Sequence, residues 1–187
     1  APAVLRAHLN ADLWSSVEVG HPLASIRPVH ACIAGQKWEW DGVQFEMLHP
    51  LLSDYSKLAG ANGLSCVLRV DASQIAHSKM AQDRNFGSAL LVGDIEAPQE
   101  LALLQSLALQ PVGVLLVPHH GSQTSSTNDF IEALMPQWAV VQAGYRNRYG
   151  HPAPRVVERY DSLGVPLSIS SECGLSLIHI SEPTRPY

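Results

Sequence analysis

The stretch around which this sequence is organised is Val117-Pro118-His119-His120-Gly121-Ser122. It continues an apolar run, residues 112–117, that predicts a short buried strand. Two imidazoles, a glycine and a hydroxyl therefore lie where the chain would leave a sheet. Because open α/β sheets bind their ligands at the carboxyl ends of strands, we expect a functional site at this position.

Two other strand-like runs end in comparable chemistry. Residues 88–92 lead into Gly93-Asp94, and residues 138–142 lead through an arginine-rich loop to Gly150-His151-Pro152. Each signal alone is weak, since Asp94 could be a turn or N-cap residue and Pro152 could simply begin a helix. Together they predict a metal site, because aspartate and histidine at neighbouring strand ends are ligands that divalent ions take.

The order of predicted elements indicates a mixed α/β (α+β) domain. The first half is rich in strands, and the clearest of them form a hairpin around Asp41-Gly42, a dipeptide typical of type I′ turns. The second half alternates strands with helices, which predicts sheets covered by helices. The predicted strands are residues 12–19, 29–33, 37–40, 43–47, 65–70, 88–92, 112–117, 138–142 and 165–170, and the predicted helices are 98–109, 129–134 and 153–162.

Length and composition exclude several classes of protein. The 187 residues are 46% hydrophobic and 16% charged, which predicts a globular domain with a real core rather than a disordered chain. A net charge of -5 excludes a global basic field for nucleic acid, so contact with a polyanion would need a local patch or a bound metal ion. No run approaches the roughly 20 apolar residues of a membrane span.

The three cysteines and the chain start carry less information. The cysteines are far apart without CxxC spacing, which argues against a zinc ribbon, and their odd number leaves the redox compartment open. The start has neither an initiator methionine nor the pattern of a signal peptide. We therefore expect a piece of a longer protein.

Candidate substrate contacts lie beside the histidines. Arg146 and Arg148 are flanked by tyrosines, an arrangement that suits a phosphate and a stacked base, although an exposed loop is equally consistent. Adjacent histidines point in different directions, so one of His119 and His120 can bind a metal ion while the other orients a substrate oxygen. Of the remaining histidines, His49 is interpreted as a loop residue, with a metal ligand as the alternative.

Three segments resemble the metallo-β-lactamase superfamily, and most closely its branch at the C-terminus of ComEC-type DNA-internalisation competence proteins. They are residues 91–96, 117–126 and 147–152. The likeness covers residues 1–174 and implies a truncated metallo-β-lactamase-like αββα sandwich. It also implies Asp94 as the shared metal ligand, the His119/His120 pair as source of a later ligand, and His151 as a further site residue.

One motif of the resembled superfamily is absent from this sequence. The first metal motif, HxHxDH, has no match, so we expect an N-terminally truncated domain with weak metal binding and impaired activity. His49 is a candidate for the superfamily's intermediate ligand. Residues 175–187 are expected to be a non-native or disordered tail, and His179 within them is left out of the site.

The resulting hypothesis is a metal-dependent phosphodiesterase that acts on DNA during uptake across the inner membrane. It assigns Asp94, His119 and His120 as catalytic and metal-binding residues, and two divalent ions, zinc or manganese, as cofactors. The expected partners are DNA and the remainder of a membrane-embedded channel, with this domain on the periplasmic side. The residues assigned to substrate binding are Ser122, Arg146, Arg148 and His151.

Two other functions remain open at this point. The first is a domain of the uptake channel that binds DNA or supports the channel without catalysis, because its metal site is incomplete. The second is a stand-alone metallo-hydrolase of a small phosphoester. Membrane spans encoded upstream in the gene would favour a domain of a competence protein, because a stand-alone enzyme would lack them.

Overall fold

The computed structural model describes residues 2–8, 10–17, 20–56, 60–72, 87–106 and 108–173. Within them lie a two-stranded sheet and a seven-stranded sheet, accompanied by helices, so the predicted mixed α/β class is confirmed. The strands are β1 Leu13–Ser15, β2 Val29–Ala31, β3 Lys37–Trp40, β4 Val43–His49, β5 Val67–Asp71, β6 Ser88–Leu91, β7 Val114–Leu116, β8 Trp138–Val141 and β9 Leu167–Ile169. The α-helices are α1 Pro2–Ala7, α2 Ala97–Gln105, α3 Asn128–Leu134, α4 Pro154–Ser162 and α5 Ser170–Cys173. 3₁₀ turns cover Pro22–Ser25, Leu52–Ser56 and Ala61–Leu64, and Pro118–Gly121 forms a turn with non-helical backbone angles.

The larger sheet changes from antiparallel to parallel strand pairing at β6. Its strand order, β3 to β9, follows the chain order. Strands β3 to β6 pair antiparallel, whereas β6 to β9 pair parallel. Parallel neighbours need a crossover connection, and α2, α3 and α4 lie in the three connections between them. The carboxyl ends of β6, β7 and β8 consequently meet at one edge of the sheet.

The predicted hairpin is confirmed in register and in turn type. Lys37 pairs with Glu46 and Trp40 with Val43, which leaves Asp41 and Gly42 as the two turn residues. Their φ angles of 50° and 80° are both positive, as a type I′ turn requires. Local sequence therefore determines this part of the sheet.

The core lies between the parallel strands and the helices that connect them. Its largest fully buried side chains include Tyr160 of α4, Phe130 of α3, and Leu90 and Leu115 of the central strands. Burial of each such side chain contributes about 1.5–3 kcal/mol, so packing of the helices against the parallel strands stabilises this part of the sheet.

Several predicted boundaries differ from the structure. Strand β7 is shorter than the run 112–117, since the Val112 amide bonds to the Leu134 carbonyl outside the sheet. Helix α2 ends at Gln105 instead of residue 109. Ser106 explains this, because its hydroxyl donates to the Leu103 carbonyl and accepts from the Ala108 amide, which competes with continued helix.

The interpretation of His49 as a loop residue is wrong. It is the last residue of β4, pairs with Val67 of β5 beyond an irregularity in register, and is 6% exposed. Its Nδ1 lies 2.9 Å from the Ser65 carbonyl oxygen, which uses that nitrogen in a hydrogen bond within the protein. Cross-strand pairing with β5, which cannot be read from the local sequence, extends the strand this far.

A disulfide bond joins Cys32 to Cys66 and leaves Cys173 as a free thiol. It connects the segment after β2 to the segment before β5, and it was not apparent from cysteine spacing. None of the described helices has the length and apolar character that a membrane crossing needs. The predicted tail, residues 175–187, lies outside the described residues.

Candidate metal and substrate site

The loops that follow β6, β7 and β8 lie side by side and are tied together by backbone hydrogen bonds. The His119 amide donates to the Gly93 carbonyl at 3.0 Å, and the Ala153 amide donates to the Gly121 carbonyl at 2.9 Å. These bonds bring Asp94, the histidine pair and His151 to the same edge of the sheet. The structure thus places together residues that the sequence separates by up to 57 positions (from 94 to 151).

The histidine pair is held in an uncommon backbone conformation. His119 and His120 have φ angles of 48° and 55°, and Gly121 follows with a φ of 80°. Left-handed backbone costs a non-glycine residue roughly 1–2 kcal/mol, so the surrounding fold must stabilise this turn. At Gly121 a Cβ atom would lie only 2.7 Å from Cβ of Pro152, which explains why glycine is required there.

His120 and Asp94 have the geometry of two ligands of one metal ion. Nδ1 of His120 lies 2.7 Å from the Gln142 carbonyl oxygen, which can only accept, so Nδ1 carries the proton in the neutral ring. The lone pair then lies on Nε2, which is 3.4 Å from Oδ1 of Asp94. Two donors about 2.1 Å from a tetrahedral zinc ion are about 3.4 Å apart, so the observed spacing matches shared coordination.

His119 is paired with Glu96, a residue that the sequence did not indicate as functional. Its Nδ1 lies 3.2 Å from Oε1 of Glu96, and the Thr124 hydroxyl donates to the same carboxylate oxygen at 2.9 Å. A carboxylate at Nδ1 orients the His119 ring, so that Nε2 points away from Glu96. The available signal was the position of Glu96, two residues beyond Asp94 and next to the start of α2.

His151 is the third imidazole of the site. Its ring centroid is 6.0 Å from that of His119, and Asn147 holds its backbone by accepting from the amide and donating to the carbonyl. Its Nδ1 is buried and has no hydrogen-bond partner among the described residues. Burial lowers the pKa of His151, and the neighbouring His119 and His120 lower this pKa further.

Arg148 is connected to His151 by contacts with the ring of Tyr149. Its guanidinium lies 4.7 Å from the centre of the Tyr149 ring, and that ring stacks on His151 with centroids 5.8 Å apart. Arg146 instead lies over Tyr145, at 5.2 Å, on the exposed part of the same loop. Ser122 is 7% exposed and its hydroxyl contacts that of Thr124 at 3.0 Å, so it supports the turn that carries Thr124.

The carboxylate and imidazole groups of this site are of the types that bind divalent metal ions. They are arranged as two pairs, His120 with Asp94 and His119 with Glu96. Carboxylate and imidazole are ligands for zinc and manganese. Within the described ranges, however, no group of three or more His, Cys, Asp and Glu side chains could hold one ion. Asp94 and His120 could supply two ligands of such an ion, and a complete coordination shell would need further ligands.

Comparison with known proteins shows that this chain is similar in sequence to bacterial competence proteins. No protein-family model matches the chain. Competence protein ComA of Neisseria gonorrhoeae is 40% identical over 136 residues, which are 72% of this chain and 17% of that protein. ComE operon protein 3 of Bacillus subtilis is 32% identical over 116 residues, which are 62% of this chain and 13% of that protein. Competence proteins are thus homologues of this chain.

The match concerns a small part of those relatives. The chain spans less than a fifth of the length of either competence protein. Among solved structures, one from Thermotoga maritima in the metallo-β-lactamase superfamily aligns with a TM-score of 0.39 and 11% identity, covering 81% of this chain and 72% of that one. A likeness at this level does not identify a fold.

Proposed function

We propose that this chain belongs to a metal-dependent phosphodiesterase that cleaves DNA during uptake across the inner membrane. The observation that carries the proposal is the 3.4 Å approach of Nε2 of His120 to Oδ1 of Asp94, with the His120 tautomer determined by the Gln142 carbonyl. The homology to competence proteins supports a role in DNA uptake.

Asp94 and His120 would hold a divalent ion, zinc or manganese, in a site proposed to contain two ions. Bound metal supplies a nucleophilic water at neutral pH and counters the charge on the phosphate. The remaining ligands would come from a segment of the parent protein that carries an HxHxDH-like motif, and that segment would complete an αββα sandwich. This completion would account for the absence of a three-ligand group among the described residues.

The neighbouring residues are suited to bind and orient a nucleotide. Arg148 offers a guanidinium to a phosphate, and Tyr149, stacked on His151, offers a ring face to a base. His119, oriented by Glu96 and Thr124, would direct its Nε2 to a substrate oxygen. Arg146 and Ser122 would support this region, Arg146 from the exposed loop and Ser122 through Thr124.

The disulfide bond supports a location outside the cytoplasm. Disulfides persist in oxidising compartments, including the bacterial periplasm, and are rare where thiols are kept reduced. The Cys32–Cys66 bond is therefore consistent with a domain on the periplasmic side of an inner-membrane protein.

A nuclease assay tests the proposal directly. The longest product of the gene is incubated with single- and double-stranded DNA in Mn²⁺ or Zn²⁺, beside Asp94→Ala and Asp129→Ala. We expect cleavage by the wild type, a loss of about 100-fold or more in Asp94→Ala, and no change in Asp129→Ala, because Asp129 is exposed on α3. Intact DNA with the metal-loaded wild type would refute the nuclease function.

A second candidate is a domain that binds DNA without cleaving it. Arg148 and the Tyr149 ring favour this alternative, because they can bind a phosphate and a base without a metal ion. It predicts DNA binding that weakens in Arg148→Ala, shows a salt dependence, and is unaffected by Asp94→Ala. A third candidate, hydrolysis of a small phosphoester, would appear as turnover of a model phosphodiester without activity on DNA.

A further inference from the structure

Ser65 lies directly against the turn that carries Asp94. The Asp94 amide donates to the Ser65 hydroxyl at 3.1 Å, although the two residues are 29 positions apart. The preceding residue, Gly93, has a φ of +57°, and a Cβ atom there would be 3.1 Å from Cβ and 3.4 Å from Oγ of Ser65. The Gly93-Asp94 turn is thus in close contact with one side chain from another part of the chain.

Ser65 is itself fixed from both sides. Its carbonyl oxygen lies 2.9 Å from Nδ1 of the buried His49, and its amide donates to the Asn62 carbonyl at 3.1 Å. The next residue, Cys66, is bonded covalently to Cys32, which is fully buried. Because a backbone hydrogen bond and a disulfide hold the flanking atoms, the Ser65 hydroxyl has little freedom to move away from Asp94.

We propose that Ser65 is the positioning residue for Asp94, and that His49 and the Cys32–Cys66 disulfide form the support that holds Ser65 in place. The inference rests on the proposed role of Asp94 as a metal ligand. Ser65 acts through the backbone of Asp94 and does not contact the ion or the substrate. His49 and the disulfide do not belong to the candidate site. They act on it indirectly, because they hold Ser65 in contact with Asp94.

The hydroxyl of Ser65 is expected to affect metal affinity only through Asp94. Residues that orient a metal ligand typically change metal affinity by about 10–100-fold when mutated. Ser65→Ala should therefore weaken Mn²⁺ binding about tenfold or more, and Ser65→Thr, which keeps a hydroxyl, should restore it. In an Asp94→Ala background, Ser65→Ala should have no additional effect, because the ligand it positions is gone.

The experiment titrates the longest product of the gene with Mn²⁺ and detects the free ion by electron paramagnetic resonance. Ser56→Ala is the matched control, since Ser56 is an exposed serine whose hydroxyl donates to the Ser53 carbonyl. Unchanged affinity in Ser65→Ala while Asp94→Ala weakens binding would overturn the inference. An equal loss from Ser65→Ala with and without Asp94 would overturn it as well.

A second measurement separates this inference from the proposed function. If Asp94→Ala leaves Mn²⁺ affinity unchanged, Asp94 is not a ligand and the proposed function fails. Hydrogen exchange of the Asp94 amide then decides the role of Ser65 by itself. Faster exchange in Ser65→Ala than in Ser56→Ala supports positioning by the hydroxyl, and equal exchange in the two variants refutes it.

Discussion

His151 differs from its neighbours at the site because its Nδ1 is buried without a hydrogen-bond partner among the described residues. Protonation would place a charge on a ring that is partly withdrawn from water and close to His119. The folded protein therefore holds the pKa of His151 below its ordinary value, first by burial and then by the adjacent imidazoles. The neutral ring is the form that can accept a proton or a hydrogen bond from a substrate.

This lowered pKa predicts a pH dependence of stability. Below about pH 6.5 the unfolded chain binds a proton at His151 more readily than the folded chain does, so stability decreases as the pH falls through this range. Urea unfolding at pH 7.5, 6.5 and 5.5 should show a steeper decrease for the wild type than for His151→Gln. His8→Gln, an exposed histidine, is the control. Parallel curves for wild type and His151→Gln would contradict the prediction.

Helix α2 stabilises the site from two positions one turn apart. Glu96, immediately before its first residue, contacts His119 and Thr124. Glu100, fully buried, accepts hydrogen bonds from the amides of Ser126 and Thr127 and from the Thr127 hydroxyl. The sequence indicated a start near Pro98 but gave no sign that two carboxylates of this region would organise the loop after the histidines.

Removal of the buried carboxylate should therefore be costly. Glu100→Ala would leave the Ser126 and Thr127 amides without their acceptor, at a cost of about 3 kcal/mol or more in the free energy of unfolding. Denaturant unfolding measures this loss. Glu132→Ala, an exposed glutamate on α3, should change stability by less than about 0.5 kcal/mol. Equal effects of the two substitutions would show that the hydrogen bonds of Glu100 contribute nothing.

For the molecule as a whole, the disulfide connects the segment after β2 to the segment before β5, and the latter segment contacts the Gly93-Asp94 turn through Ser65. Cys32 and Cys66 are 34 positions apart, so their bond closes a long loop in the unfolded chain. The bond and the helix-covered parallel strands stabilise different parts of the fold. The first half has few fully buried side chains among the described residues, which makes a covalent link effective there.

Reduction should destabilise the protein globally. A loop of this length predicts a loss of about 3–4 kcal/mol when the bond is broken. Urea unfolding with and without dithiothreitol measures the difference, and Cys32→Ala/Cys66→Ala provides the same comparison without a reductant. Cys173→Ser should leave stability unchanged, because Cys173 is a free thiol. Equal stability of the oxidised and reduced chains would contradict the prediction.

Patterns within a few residues of one another were sufficient to predict much of the fold. The Asp41-Gly42 hairpin, the alternation of strands and helices in the second half, and the placement of polar residues after β6, β7 and β8 all follow from local periodicity and turn chemistry. The candidate site could be located in this way because parallel strands bring their carboxyl ends together.

Only the tertiary structure decided how the site residues are held. The His119–Glu96 pair, the Ser65–Asp94 hydrogen bond, the Cys32–Cys66 bond and the position of His49 in β4 all join residues distant in the sequence. Local patterns carry no information on such contacts, because they depend on which strands pair and on which loops meet above them. The sequence by itself therefore determined which residues stand at the sheet edge, and folding decided which partner orients each of them.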